Sequence, residues 1–417
     1  MKKICFIVFI AWFQWVGAQG KSAKNSNVAL TFSVSGDIKD SKTKEVIPNA
    51  DLYLLNCNKS SVANEVGIFQ FNIPKSSFND QLVISAVGYY SDTILVSQLE
   101  KLKHESFHIV LNKETEAEIV LNDMVVLSSK NKSKSDSPET ILKKARQHIK
   151  DNYYQEPFNQ KFFFRAQCKK DGVFSVNEAA SIMTYSPNGI RVSKDAAANY
   201  FGEILQFKGK AEETSKENWE GIGYFGVVVF RNIVLSGQNV FYETASFELK
   251  KEKTIEYAGK KVYVISFQNL VPDVYSTGFG NPSPKSVSGF IYIDTVSFAV
   301  VKFEQYVILN ADRSNDSDDV WIQSSVKMTQ TYKCVNGKYF VNYCNEKKES
   351  RYFSAVEKKQ IGEANSNYDL MSEDVNTDKV LPIVRPIDRL KLDVKVAEDP
   401  EYWNNNNFIP EIKNNDL

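Results

Sequence analysis

Histidine is nearly absent: the 417 residues hold three, His104, His108 and His148. A Ser/His/Asp triad, or a metallocarboxypeptidase centre with two His and a Glu around zinc, therefore has little to draw on. Excess charge is absent as well. The 51 Lys and Arg balance the 51 Asp and Glu, so no basic face argues for nucleic acid and no cationic surplus for anionic lipid. A Gly-rich phosphate loop is missing, because Gly278-Phe279-Gly280 runs into Asn281-Pro282 instead of a helix. After residue 18 no apolar run approaches the length of a membrane-spanning helix.

What is present starts with an export signal. Lys2 and Lys3 precede a short apolar run over residues 4–16, and Val16-Gly17-Ala18 offers small residues before Gln19. Residues 1–18 are expected to be a signal peptide, leaving a mature chain with no transmembrane segment. Cys5 sits early in the run and not beside small residues at its end, which argues against lipoprotein processing. Export permits disulfides among Cys57, Cys168, Cys334 and Cys344. Asn336-Gly337 marks a two-residue hairpin turn, whose register sets Cys334 opposite Tyr339 and Cys344 opposite Thr329, with the sulfurs on opposite faces. Buried free thiols are expected, with a bridge from Cys168 to one of the others as the alternative.

Two β-rich units follow. Over residues 28–112, short alternating runs closed by turn residues have the pattern of a small antiparallel sandwich. Residues 113–137 read as a Ser/Lys-rich linker. Ser137-Pro138-Glu139 starts a helix, with Ser as N-cap, Pro in the first turn and Glu near the positive end of the dipole. Ile141, Leu142, Ala145 and Ile149 repeat at helical spacing. A second helix is expected over 194–207. From 158 to 345 period-two alternation dominates, with strands expected at 225–235 and 240–249 among others, and turns at Asp171-Gly172, Asn188-Gly189 and Ala258-Gly259. Strands of this length in meander order predict a curved antiparallel sheet or half-barrel over 138–380, with one or two helices packed inside or across it. In the tail, residues 381–417, Trp403, Phe408 and Ile409 are expected to pin the chain to the sheet. The fold class is mainly β.

The runs G-D-I-K-D-S-K-T-K-E-V-I-P-N-A-D-L-Y-L (36–54), G-I-F-Q-F-N-I-P (67–74) and S-A-V-G-Y-Y (85–90) resemble the carboxypeptidase-regulatory-like, or transthyretin-like, domain. This domain is similar to the one ahead of the plug in many Bacteroidetes outer-membrane receptors. Its central glycine is Gly67; Val66 stands where the family usually carries an acidic residue, with Glu65 one position earlier. L-N-D-M-V-V (121–126) resembles the opening of a receptor plug, but the many strands of a membrane barrel do not follow. G-F-I-Y-I-D-T-V-S-F-A-V-V-K-F-E (289–304) resembles a hairpin of lipoprotein-carrier-type half-barrels. The segments around Ser137 and Asp399 resemble uncharacterised Bacteroidetes envelope proteins that pair these two domains. The resemblance implies an accessory role in the periplasm or at the periplasmic face of the outer membrane.

Three constellations bear on chemistry. His104-Glu105-Ser106-Phe107-His108 fits H-E-x-x-H, which needs two His one helical turn apart; on the strand read here, positions four apart lie about 13 Å from each other. Asp312, Ser314, Asp316, Asp318 and Asp319 crowd one loop but lack the Gly and bidentate Glu of a calcium loop, and read as a solvated hairpin. Aromatic rings on the strands form either a sheet core against the helix, the favoured reading, or a groove for an apolar ligand, with Phe162, Phe164, Phe290 and Phe303 as its contacts. The expected function is non-catalytic: binding or scaffolding of an envelope protein partner or a lipid-like ligand, with no cofactor, no metal and no nucleic acid. The competing class is a zinc-dependent hydrolase using His104, Glu105 and His108.

Overall fold

The structure is a computed structural model that describes residues 30–101, 106–114, 136–192, 200–209, 221–273, 276–280, 282–314, 317–387 and 398–411. The expected signal peptide, most of the linker, and His104 with Glu105 lie outside the described residues.

The N-terminal unit contains β1 (Thr31–Asp40), β2 (Asp51–Leu54), β3 (Ser60–Val62), β4 (Ile68–Pro74), β5 (Gln81–Ser85), β6 (Asp92–Leu95), the short helix α1 (Val96–Lys101) and β7 (Ser106–Leu111). Two sheets form, ordered β4-β1-β7 and β3-β2-β5-β6. Alternation puts Val34 and Ile38 of β1, Phe69, Phe71 and Ile73 of β4, and Leu52, Leu82 and Ile84 of the second sheet into one buried cluster. Gly67 turns the chain into β4 at φ +72°, where an added Cβ would lie 2.9 Å from the Ile38 carbonyl oxygen. Glycine meets both demands at once.

The larger unit contains α2 (Pro138–Gln147), α3 (Ile149–Asn152), β8 (Phe158–Lys170), β9 (Val173–Ser186), β10 (Phe201–Lys208), α4 (Phe225–Phe230), β11 (Glu248–Lys251), β12 (Ile255–Tyr257), β13 (Lys260–Asn269), β14 (Pro284–Asp294), β15 (Val300–Leu309), β16 (Asp312–Ser314), β17 (Ser317–Val335), β18 (Lys338–Ser354), β19 (Lys359–Asn376) and α5 (Pro400–Asn405). Twelve strands make one sheet, ordered β10-β9-β8-β19-β18-β17-β15-β14-β13-β11, with β12 on β13 and β16 on β17. The chain is mainly β, and this large curved sheet is not closed. Its tight hairpins follow the local turn chemistry: Asp171-Gly172, Ala258-Gly259 and Asn336-Gly337 all have positive φ at both central residues, as a type I′ turn requires. The Ser137 hydroxyl caps α2 by accepting from the Thr140 amide at 3.3 Å, and Ile141, Leu142 and Ala145 face the core.

Several expectations give way here. Within 194–207 the described part is strand β10, not helix. Residues 225–235 hold helix α4 and turns. Over 240–249, turns and a 3-10 segment lead into β11. A short apolar run buried on most sides carries no usable period, and packing decides its conformation. Phe298 occupies the turn after β14 with φ 59°. Strand β19 was not foreseen, yet it joins the first strand of the unit to β18.

The register of β17 on β18 pairs Cys334 with Tyr339, as expected, but Cys344 with Gln330 and not Thr329. A β-bulge between Thr331 and Tyr332 shifts the ladder and leaves Asn342 as the extra residue. None of these four cysteines is in a disulfide; Cys168 and Cys344 are buried, Cys57 is half-buried and Cys334 is exposed, which corrects the expectation of four buried thiols. Burial also pushes the Cys344 thiol up. With an aromatic disulfide reagent, Cys334 should react fast, Cys57 slowly, and Cys168 and Cys344 only after denaturation. Fast labelling of a third site in the native protein would contradict this burial pattern.

Candidate functional site

The four aromatic residues singled out from the sequence do not share a surface. Phe162 and Phe164 face the core side of the sheet, where their rings lie 6.1 and 5.5 Å from Phe225 of α4. Phe303 is on the same side, stacked on Phe267 at 5.9 Å. Phe290 pairs across the ladder with Glu304, one residue out of phase with Ile291 and Phe303, so it projects from the opposite face. On the core side, among the described residues, a cavity walled by Phe158, Phe162, Tyr332 and Cys344 among others measures about 20 Å³, room for a single water. Helix α4 and the chain after it fill the face that an apolar ligand would need.

The opposite face meets the sandwich through a buried polar seam. Asp51 of β2 accepts from the Tyr257 hydroxyl at 2.5 Å, Asn342 Nδ2 at 2.9 Å and the Thr331 hydroxyl at 3.2 Å. The Asn342 Oδ1 accepts from Ser60 at 2.8 Å. Asn58 Nδ2 donates to Asp374 at 2.8 Å and to the Val375 carbonyl at 2.9 Å. Lys333 Nζ donates to the Asn58 carbonyl at 2.9 Å, the Ser60 hydroxyl at 3.1 Å and the Ser372 carbonyl at 3.4 Å. All three acceptors are neutral.

Burial, reinforced by the Lys59 charge and only partly opposed by Asp374, lowers the Lys333 ammonium to about 7. An unfolded lysine titrates near 10.4. Between those values the unfolded chain binds more protons, so stability should rise with pH, by up to about 1.4 kcal/mol per pH unit for this one group. Urea midpoints measured from pH 7 to pH 9 should climb relative to Lys333→Met, which lacks the titration. Parallel curves for the two proteins would remove this account of Lys333.

Beside the seam the C-terminal segment bridges both units. Asp399 caps α5. Beyond it, Asn407 Oδ1 accepts from the Asn72 amide at 2.7 Å, and the Asn406 and Pro410 carbonyls accept from Asn72 at 2.9 Å and Asn64 at 3.2 Å. On the sheet side Arg165 Nη1 donates to the Ile409 carbonyl, and Nη2 pairs with Asp369, both at 2.8 Å. Ile409 is buried with Val62, Phe163, Tyr343 and Met371, and Trp403 and Phe408 pack against them, as expected for the residues that pin the tail. Between sandwich, sheet and tail lies a cleft of about 450 Å³. Its floor is aromatic, formed by Phe163, Trp403 and Phe408 with Ile409. Arg165, Lys208, Gln70, Ser35 and Glu411 supply polar groups. The sequence reading missed this cleft because its walls come from three distant stretches. The one local signal was the D-P-E-Y-W helix start that delivers Trp403.

His108 lies on β7 with an exposed side chain, its Nδ1 3.1 Å from Asp37 Oδ1. Burial alone would raise Asp37, but the bonds from His108 and Lys39 outweigh it and lower the carboxyl. Among the described residues no group of three His, Cys, Asp or Glu side chains is placed to hold a metal. Asp312 and Ser314 lie on β16, paired with β17.

Residues 34–126 match the model of the CarboxypepD_reg-like domain. The sandwich is therefore a domain of that class, carried by a chain whose larger part is the open sheet. No curated protein matches the chain. Among solved structures, that of a Bacteroides fragilis protein of unknown function, described provisionally as membrane-associated, aligns over 83% of this chain and 99% of its own at 10% identity, with a TM-score of 0.15; a superposition that loose carries no argument. No helix among the described residues is long and apolar enough to cross a membrane.

Proposed function

We propose that this is a non-catalytic cell-envelope protein, working in the periplasm or at the periplasmic face of the outer membrane, which holds its CarboxypepD_reg-like sandwich rigidly against the large sheet and presents it to a protein partner. The observation that carries this reading is the pair of open strand edges on the sandwich. Polar side chains of β2, the β2–β3 connection, Ser85 and Ser91 are fastened to the large unit, as is Glu114 beyond β7. β6 and β7 themselves each end their sheet, with no further strand partner among the described residues. Open edges of this kind accept an added strand, and the exposed side chains of Leu95 and Val110 would give such a strand apolar contacts.

The filled core face speaks against the lipid-like ligand in the half-barrel, since about 20 Å³ cannot hold an acyl chain. The hydrolase alternative would need His108 to bind zinc from a strand, with its Nδ1 already engaged by Asp37. A photo-cross-linker at Val110 should yield one discrete adduct in envelope fractions, whereas the same probe at the exposed turn residue Val296 should yield none. No adduct, or the same adduct from both sites, would overturn the edge-strand reading. Metal analysis tests the other class: zinc at one ion per chain, lost on His108→Ala, would favour the hydrolase.

A further inference from the structure

We propose that the cleft between the sandwich, the β8–β10 sheet edge and the C-terminal segment binds a small amphiphilic carboxylate. The apolar body would lie over Phe163, Trp403 and Phe408, and the carboxylate would take up the N–H donors around it. This goes beyond the edge-strand partner and does not depend on it.

Size comes first. A cleft of about 450 Å³ lies within the range of small-molecule sites, which combine an apolar lining with a few convergent polar groups. The second observation is independent of shape. Among the described residues, three buried side-chain polar atoms have no hydrogen-bond partner: Glu346 Oε2 in the core, and Arg165 Nε and Trp403 Nε1. The latter two are donors on residues that wall this one cleft, each with less than 1 Å² of its own surface open. Buried donors without acceptors are costly, and a ligand oxygen that draws either side chain towards the cleft would relieve that cost.

Charge narrows the class. Arg165 is 5% exposed, and the other nitrogens of its guanidinium are taken by Ile409 and by Asp369, which neutralises it. Lys208 on the rim then supplies one cation, while Glu411 on the tail repels anions from its own side. One cation suits a monoanion and not a phosphate dianion, and Glu411 directs the anionic head towards Lys208. Gln70 and Ser35 remain for the second oxygen. Two sources carry this chemistry, a fatty acid and the free C-terminus of an apolar peptide.

Titration calorimetry on the full mature chain tests the proposal with octanoate, octan-1-ol, acetyl-dileucine and the amide of acetyl-dileucine. At least one carboxylate should bind saturably, one per chain, with its neutral counterpart about tenfold weaker. The tighter of the two acids identifies the source. Lys208→Gln, at an exposed rim position, should abolish the preference for the acid. Ala179→Leu, which fills the cleft, should weaken acid and neutral ligand alike. The proposal is overturned if neither acid binds, if acids and neutral counterparts bind equally, or if Lys208→Gln keeps the preference. None of these outcomes touches the cross-linking result at Val110, so the two readings fail separately.

Discussion

Asp51→Ala should remove about 4 kcal/mol of stability, and should split a single unfolding transition into two. The carboxylate is 5% exposed and collects hydrogen bonds from Tyr257 on β12, Thr331 on β17 and Asn342 on β18. Truncation takes the acceptor from the Tyr257 and Thr331 hydroxyls and leaves Asn342 Nδ2 with only the Thr331 hydroxyl, at 3.4 Å; each buried donor deprived in this way costs about 1–3 kcal/mol, not fully additively. Because all three bonds cross from sandwich to sheet, the loss falls on the coupling between the units. Burial raises the Asp51 carboxyl, and the bonds from Tyr257, Thr331 and Asn342 and the Lys302 charge do not cancel that rise. A raised carboxyl gives stability that is complete below the unfolded value near 3.9 and fades as pH climbs through the folded one. Asp51→Asn, which keeps an acceptor and cannot ionise, should therefore lose far less than Asp51→Ala and lack that fade. Calorimetry and urea unfolding from pH 4 to pH 7 measure both effects. An alanine variant within about 1 kcal/mol of wild type, melting in one step, would show that the seam does not couple the units.

The parts legible in the sequence are those in which neighbouring residues decide the backbone. Asp171-Gly172 and Asn336-Gly337 announce their turns because few other pairs tolerate positive φ twice in succession. Ser137-Pro138 announces α2 through its own cap. Strand β19 was illegible for the opposite reason. Its buried positions include Asp369, Ser372 and Glu373, which meet Arg165, Gln160 and Lys161 where an apolar core would have supplied Val or Leu. A strand buried against polar partners has no hydrophobic alternation to read. The bulge at Asn342 was hidden in the same way, since its side chain serves Asp51 and Ser60 across the seam. For the candidate site, ring type alone could not separate Phe290 from Phe303. The face each ring takes depends on the pairing of β14 with β15, a long-range fact.

Phe225→Ala is the second large effect expected, a loss of about 3–5 kcal/mol. Phe225 is fully buried and meets both Phe162 and Phe164 edge-on. The size of the loss depends on whether the surroundings can collapse into the space left behind. Here they are held: Tyr224 donates to Glu346 Oε1 at 2.6 Å and Arg231 to the same oxygen at 2.5 Å, fixing α4 at both ends. The void should therefore persist next to the existing cavity of about 20 Å³ and stay dry, since aromatic and aliphatic side chains line it. A persistent dry void should take up xenon or benzene, which the wild-type core face has no room for. The variant thus tests two statements together: that α4 stoppers the half-barrel, and that an apolar ligand reaches Phe162 and Phe164 only once the stopper ring is removed. Wild-type protein that binds benzene as well as the variant does would defeat the second statement. A loss below about 1 kcal/mol would defeat the first.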